Sequence, residues 1–104
     1  MLDIRGVDLP LLVSLDVLLD EKHVTRAAAR LHLSQPAMSA QLARLRALFD
    51  DALLVPADSG RGMLATPRAL QLQAPLRAAL AMLGQAVRRD APPFDPRTAA
   101  AEKR

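Results

Sequence analysis

The side chains with the clearest chemical potential lie at the start of one predicted helix. Gln35 can donate and accept hydrogen bonds at once, which matches the edge that adenine presents in the major groove of duplex DNA. Pro36 and Ala37 could contact a thymine methyl group, and Ser39 could reach a base or a phosphate. Ser34 precedes them as a strong helix N-cap, so these residues are predicted to open a helix.

Other kinds of chemistry have little support in the sequence. The chain has no cysteine, which excludes disulfides and thiolate metal sites. We interpret His23 and His32 as cap or turn residues rather than metal ligands, because carboxylates do not cluster with them. No acid lies near Ser34, Ser39 and His32 to complete a catalytic set. We therefore expect no enzymatic activity, no metal and no cofactor.

The basic residues are grouped along the chain, although the net charge is only +3. Residues 22–49 and residues 59–89 each contain five basic side chains and no acid. The two blocks consist of Lys22, Arg26, Arg30, Arg44 and Arg46, and of Arg61, Arg68, Arg77, Arg88 and Arg89. Such blocks favour a polyanionic partner, although a block of this kind can also be only a solvated face.

Three helices are predicted in the first half of the chain. They are expected at Leu9 to about Glu21, Arg26 to Leu31, and Gln35 to about Phe49. Asp8, Thr25 and Ser34 are the predicted N-caps. His32 is expected to turn the chain in a left-handed conformation, which histidine tolerates better than most residues.

The second and third of these helices form a helix-turn-helix pattern. The third carries an apolar stripe at helical spacing, made of Met38, Leu42, Leu45 and Phe49. In such a pair the second helix fits the major groove, with its first residues facing the bases. Thr25 and Arg26, at the start of the preceding helix, are placed to contact backbone phosphates.

A short hairpin is predicted after the third helix. Residues 53–55 and 63–65 indicate two strands, and the segment 57–62 between them is turn-forming. Arg61 at the tip could reach a flanking minor groove or a phosphate, as the wing of a winged helix does.

The last predicted helix is long. Thr66 and Pro67 are a favourable helix start, and the helix should run to about Arg89. Apolar residues follow a near-heptad spacing at Leu72, Leu76, Leu80, Leu83 and Val87. This seam predicts dimerisation, although it could instead pack only on its own domain. Pro75 lies inside the helix and should bend it or break it locally, and residues 90–104 are predicted to be a linker.

Several of these segments together resemble the signature of the LysR-type transcriptional regulators. The resemblance is carried by Val24–Ala28 and by Leu31–Ser39, which includes the specific run Ser-Gln-Pro-Ala. Further segments are similar to the branch of nodulation and aromatic-degradation regulators, namely Leu42–Arg46, Leu53–Val55 and Leu64–Ala69. The resemblance covers about residues 8–89.

The resemblance implies a mainly α fold, a winged helix-turn-helix of three helices and a two-stranded wing followed by a long dimerising linker helix. Residues 1–66 would bind duplex DNA, residues 67–89 would form the homodimer, and residues 90–104 would be a hinge. The family also implies a C-terminal effector-binding domain of periplasmic-binding-protein type, which takes a small-molecule inducer and supports tetramers. These 104 residues do not contain that domain, so we expect a deliberately shortened chain rather than a natural short form.

Three positions depart from the family pattern. Many members carry arginine where this chain has Ala40 and Pro56, and glutamate where it has Arg46. The absence of those two arginines should weaken phosphate binding locally and leave more of that role to other residues. These are Arg44, Arg61 and Arg68.

The function predicted from the sequence is sequence-specific binding of duplex DNA by a dimer that regulates transcription. The N-terminus has no signal-peptide layout and no apolar run is long enough for a membrane span, so we expect a cytoplasmic, nucleoid-associated protein. The alternative is a helical protein-interaction module that dimerises without binding DNA. The acid-free stretch 22–49 argues against that alternative.

Overall fold

The structure is a computed structural model that describes residues 8–89. Its elements are α1 (Leu9–Glu21), α2 (Val24–Arg30), α3 (Gln35–Phe49), β1 (Leu54–Pro56), β2 (Met63–Ala65) and α4 (Pro67–Arg89). Four helices and one two-stranded antiparallel sheet confirm the predicted fold class. The linker predicted at 90–104 lies outside the described residues.

The first helix begins and ends where the sequence indicates. Asp8 is its N-cap, since the Asp8 Oδ1 accepts a hydrogen bond from the Leu11 N–H at 2.9 Å. The chain leaves the helix at Lys22, which has a left-handed φ of 51° and donates its N–H to the Leu18 carbonyl at 2.8 Å. These bonds satisfy backbone groups that a helix end would otherwise leave unpaired.

The second helix begins two residues earlier than predicted. Its N-cap is His23, whose Nδ1 accepts a hydrogen bond from the Arg26 N–H at 3.2 Å. The prediction that Thr25 caps this helix is therefore wrong, and Thr25 lies exposed in the first turn. A neutral imidazole nitrogen is an acceptor, so histidine can replace the usual hydroxyl or carboxylate. The helix ends at Arg30, one residue before the predicted end.

The apolar stripe of α3 lies at the centre of the core. All four of its members are buried, and they pack with leucines of α1 and alanines of α2. The turn before α3 is as predicted, because His32 has a left-handed φ of 56°. The N-cap is also confirmed, since the Ser34 Oγ accepts a hydrogen bond from the Ala37 N–H at 3.1 Å.

The hairpin after α3 forms as predicted, except that its first strand begins one residue later. β1 and β2 pair antiparallel, with Leu54 opposite Ala65 and Pro56 opposite Met63. β1 begins at Leu54 rather than at Leu53, because Leu53 has a left-handed φ of 62° that is incompatible with a strand. The side chain of Leu53 is completely buried, so tertiary packing holds this backbone conformation in place.

α4 is 23 residues long, which corresponds to about 34 Å at about 1.5 Å per residue. Thr66 is its N-cap, since the Thr66 Oγ1 accepts from the Ala69 N–H at 3.1 Å. Pro75 does not interrupt the helix, so the local break does not occur. The first half of α4 packs on α1, where the Gln73 Nε2 donates to the Leu19 carbonyl at 3.4 Å. Within residues 8–89, no helix combines the length and apolar character that a membrane crossing requires.

Candidate nucleic-acid interface

The amino-terminal end of α3 presents polar and small side chains away from the core. Ser34, Gln35, Pro36 and Ser39 are exposed and Ala37 is half-buried. Further along the same exposed side lie alanines, namely Ala40, Ala43 and Ala47. Methyl groups allow a large surface to approach the helix backbone closely. The structure therefore brings the predicted base-contacting residues together at one accessible helix end.

The wing is fixed to the α1–α2 turn by backbone contacts. The Met63 N–H donates to the Lys22 carbonyl at 2.9 Å. Gly62 has a φ of 66°, and a Cβ at this position would lie 3.1 Å from the same carbonyl oxygen. Only glycine combines this conformation with so close an approach at no steric cost. As a result, the wing tip lies beside the start of α2.

A polar cleft separates the wing tip from the start of α2. This α2–wing cleft has a volume of about 390 Å³. It is lined by His23, Arg26, Gly60, Arg61 and Gly62. Arg26 was predicted to contact a phosphate, and Arg61 a phosphate or a flanking minor groove, and the fold places both at one cleft. Two guanidinium groups around a common space favour a phosphate ligand.

Three arginines of the predicted basic blocks are paired with acids of α1. The pairs and their N–O distances are Arg26–Glu21 at 3.3 Å, Arg30–Asp20 at 2.6 Å, Arg30–Glu21 at 3.1 Å, Arg77–Asp16 at 3.2 Å and Arg77–Asp20 at 3.6 Å. The hydrogen bond from Arg30, helped by the charge of Arg77, lowers the pKa of Asp20, and the same bond raises the pKa of Arg30. The two basic blocks contain no acids in the sequence, but in the folded chain part of their positive charge is neutralised by the acids of α1.

Arg44 and Arg68, the other predicted phosphate contacts, are exposed but do not line the α2–wing cleft. The Arg44 Nη2 lies 3.7 Å from the Asp8 carboxylate, in a pair that is itself exposed. The Arg68 guanidinium lies 5.8 Å from the centre of the Phe49 ring, which is cation–π distance. The predicted phosphate contacts are therefore spread over several elements rather than gathered at one point.

Arg46 and Asp51 hold the loop between α3 and β1, a role that the sequence did not reveal. Arg46 donates from Nε to the Ala52 carbonyl of this loop and from Nη2 to the Leu54 carbonyl at the start of β1, each at 2.8 Å. The Asp51 Oδ2 accepts from the Thr66 hydroxyl at 2.6 Å and from the Leu53 N–H at 2.8 Å. These two hydrogen bonds hold the pKa of Asp51 below its usual value, the Thr66 bond having the larger effect.

The apolar seam of α4 is covered unevenly. Leu72 and Leu76 are half-buried and pack against the core of their own domain, and Leu80 is also half-buried. Leu83 and Val87 are 48% and 70% exposed. The first half of the seam thus packs on its own domain. The second half presents apolar surface in the single chain.

Comparison with known families identifies the group to which this arrangement belongs. Residues 9–70, from α1 to the first turn of α4, match the family described as bacterial regulatory helix-turn-helix protein, lysR family. The chain belongs to this family. Its members are transcription regulators rather than enzymes, and the exposed end of α3 is part of the helix-turn-helix unit that gives the family its description.

Curated relatives of this LysR-type chain include nodulation proteins. It is 50% identical over 93 residues to nodulation protein D 1 of Bradyrhizobium sp. (strain NC92), covering 88% of this chain and 28% of that protein. It is 53% identical over 76 residues to nodulation protein D 1 of Rhizobium meliloti (strain 1021), covering 73% and 24%. The predicted similarity to the nodulation regulators is confirmed. The chain spans about a quarter of the length of these relatives.

Solved structures of regulators share the fold. A probable transcriptional regulator from Pseudomonas aeruginosa superposes with a TM-score of 0.77 at 38% identity, covering 86% of this chain and 29% of that one. The DNA-binding domain of CbnR, solved in complex with DNA, superposes with a TM-score of 0.70 at 25% identity, covering 81% of this chain and 94% of that one. The LysR-type chain therefore has the winged helix fold of such a domain.

Proposed function

We propose that this LysR-type chain binds specific sequences of duplex DNA as a homodimer and regulates transcription, with α3 in the major groove. The observation that carries the proposal is the exposed start of α3, opposite a fully buried stripe. An α-helix fits the major groove, and the second helix of a helix-turn-helix directs its first residues toward base edges. The CbnR domain with the same fold is solved in complex with DNA, which supports binding of DNA by this fold.

Base contacts are assigned to the exposed start of α3. Gln35 pairs with an adenine edge through its amide oxygen and nitrogen. Pro36 and Ala37 contact a thymine methyl, and Ser39 contacts a base or a nearby phosphate. Ser34 stabilises this end of the helix through its N-cap hydrogen bond. It therefore contributes to recognition partly by holding the base-contacting residues in a helix.

Phosphate contacts are assigned to residues around α3. Arg26 and Arg61 approach the backbone from the two sides of the α2–wing cleft. Thr25, exposed in the first turn of α2, contacts the same strand, while Arg44 on α3 and Arg68 at the start of α4 contact flanking phosphates. Each neutralised phosphate releases counterions, so the affinity should fall steeply as salt rises.

The exposed half of α4 is assigned to the contact with a second copy of the chain. Leu80, Leu83 and Val87 continue the stripe that Leu72 and Leu76 begin, at the spacing of a helix–helix seam. Pairing two such stripes removes apolar surface from water and produces a two-fold axis. Residues 67–89 then form the dimer helix between a DNA-binding domain at 1–66 and a hinge at 90–104.

The chain spans about a quarter of the length of its relatives, so further roles are proposed only for a protein of their length. The proposal for that protein is an effector-binding domain beyond the hinge that takes a small-molecule inducer and completes a tetramer. Such a protein would act in the cytoplasm, on the nucleoid.

Selection of bound sites from a random duplex pool, with the purified 104-residue chain, tests the proposal. We expect a two-fold symmetric site to be enriched, since a dimer with a two-fold axis contacts two equivalent half-sites. Affinity for that site and for random duplex should both fall with salt, and the selected site should bind more tightly. If the chain is dimeric and binds no duplex at low salt, a protein-interaction module replaces this proposal.

A further inference from the structure

The α2–wing cleft contains a third hydrogen-bond donor, on His23. The His23 Nδ1 is occupied as the acceptor of the Arg26 N–H. A neutral imidazole that accepts at Nδ1 carries its proton on Nε2, so the far side of the ring is a donor. Within residues 8–89 this Nε2–H has no protein acceptor, and the ring lines both the cleft and an adjoining depression beside Thr25 and Met63.

The charges around the cleft favour an anion. Arg61 forms no ion pair with any carboxylate of residues 8–89, and it follows Gly60, at which an added Cβ would meet no atom within 4 Å. Arg26 is paired with Glu21, but that carboxylate is shared with Arg30. Asp58 belongs to the wing turn but does not line the cleft. The cleft therefore presents positive charge and an uncharged donor to whatever occupies it.

We propose that the α2–wing cleft binds one phosphodiester of the DNA backbone, and that His23 donates its Nε2–H to a non-bridging oxygen of that phosphate. Arg26 and Arg61 bind the same group from α2 and from the wing. One phosphate thus bridges the two elements and fixes the wing and α2 relative to the same nucleotide. This proposal rests on the proposed function and adds to it a residue and a defined position on the DNA.

The substitution His23→Asn separates the two roles of the ring. Asparagine is among the strongest N-cap residues, so its side-chain oxygen retains the hydrogen bond to the Arg26 N–H. Its short side chain has no donor at the position of Nε2. His23→Ala removes both roles and is the comparison for loss of the cap. Thermal unfolding of the three proteins shows whether His23→Asn retains wild-type stability.

Methylphosphonate substitution locates the phosphate. In the duplex obtained by site selection, each phosphate near a half-site is replaced in turn by an uncharged methylphosphonate. For the wild-type chain we expect this replacement to weaken binding at each contacted phosphate, and roughly tenfold at the one phosphate per half-site that the α2–wing cleft holds, as for loss of hydrogen bonds to a charged group. His23→Asn should weaken binding to the unmodified duplex several-fold, and at that one position the replacement should then cost much less.

Two further variants complete the cycle. Arg61→Ala changes an exposed wing residue, so it should leave the fold intact and show the same reduced sensitivity at the same position. Arg88→Ala removes an equal charge at the far end of α4 and should show the wild-type pattern at every position. The His23 contact is refuted if His23→Asn binds the duplex like the wild type. It is also refuted if the loss of affinity from His23→Asn adds to the loss from methylphosphonate replacement at every position. In both cases DNA binding itself stands. If the wild-type chain binds no duplex, the proposed function itself is refuted.

Discussion

The Thr66 hydroxyl donates a hydrogen bond to the Asp51 carboxylate, with 2.6 Å between Oγ1 and Oδ2. The same hydroxyl oxygen caps α4 by accepting from the Ala69 N–H at 3.1 Å. Asp51 follows closely on the end of α3, so this pair joins the proposed DNA-contacting helix to the start of the proposed dimer helix. The orientation of α4 relative to α3 therefore depends on a carboxylate outside the hydrophobic core.

Stability should depend on pH through Asp51. Its pKa is lowered in the folded state by the Thr66 hydroxyl and the Leu53 N–H, so its stabilisation is present above the unfolded pKa of about 3.9 and is lost as pH falls through the folded value. Asp51→Asn should lower Tm at pH 7. Below about pH 4 the gap to the wild type should close, because asparagine resembles the protonated acid.

The control for this experiment is Asp58→Asn, in the exposed wing turn, which should follow the wild-type curve throughout. Other acids, such as Asp20 beside Arg30, also lose stabilisation in acid, but they do so in wild type and variant alike. The informative quantity is therefore the difference in Tm between Asp51→Asn and the wild type. A difference that is constant from about pH 7 to about pH 2.5 would contradict the assigned role.

Arg46 should contribute to stability rather than to DNA affinity. Its guanidinium donates to the carbonyls of Ala52 and Leu54, so Arg46→Ala leaves both without this donor and should cost about 1–3 kcal/mol of unfolding free energy. Denaturant unfolding measures this. Arg44→Ala, on the exposed side of the same helix, should change stability by less than about 1 kcal/mol. Equal changes for the two variants would show that the loop bonds have no special importance.

Gln35 should determine base preference at one position of each half-site. Gln35→Ala removes a paired donor and acceptor, so discrimination at that base should fall by roughly 1–3 kcal/mol while preference elsewhere is retained. Repeated site selection with the variant measures this. Gln71→Ala, an exposed glutamine of α4, is the matched control and should select the wild-type site. An identical selected site for Gln35→Ala would assign base recognition elsewhere.

Arg61 should contribute to affinity for any duplex. Arg61→Ala should weaken binding to specific and random DNA alike, and the slope of log affinity against log salt should decrease by about 0.9 for each phosphate that the protein no longer neutralises. Arg26→Ala should act in the same direction. Arg30→Ala is the control, because Asp20 and Glu21 already hold that guanidinium, and its slope should match the wild type. An unchanged slope for Arg61→Ala would show that the wing does not bind phosphate.

Dimerisation should depend on the exposed end of the α4 seam. Leu83→Asp combined with Val87→Asp places charge on this stripe without touching the core, so the chain should become a folded monomer. Sedimentation equilibrium measures the change. Met82→Asp is the matched control, because Met82 is 68% exposed but projects from a different side of the helix. A double variant that is still dimeric would place the interface elsewhere.

The helices could be predicted from the sequence because their signals are local. Asp8 and Ser34 cap helices through backbone groups three residues away, and the apolar stripe of α3 repeats at helical spacing. The helix-turn-helix and its exposed end follow from these signals alone. His23 was interpreted as a cap or turn residue, but the N-cap of α2 was assigned to Thr25, because histidine is an uncommon N-cap and threonine is a more usual one.

The charge distribution could not be predicted, because several of the ion pairs join residues that are distant in sequence. Arg77 lies 61 residues from Asp16, and only the packing of α4 on α1 brings them together. Asp51 and Thr66 are 15 residues apart, and they too are brought together only by the folding of the chain. The acid-free blocks indicated the right class of partner, but only tertiary structure shows which arginines are held by acids of the same chain.

The hydrogen bond between the Met63 N–H and the Lys22 carbonyl has a consequence for indirect readout. Because backbone atoms attach the wing to the α1–α2 turn, we expect the protein to set the spacing between the wing tip and α3. A bound duplex must then adjust its own groove width and curvature to meet both elements. Base steps that deform easily would be preferred at positions that no side chain touches.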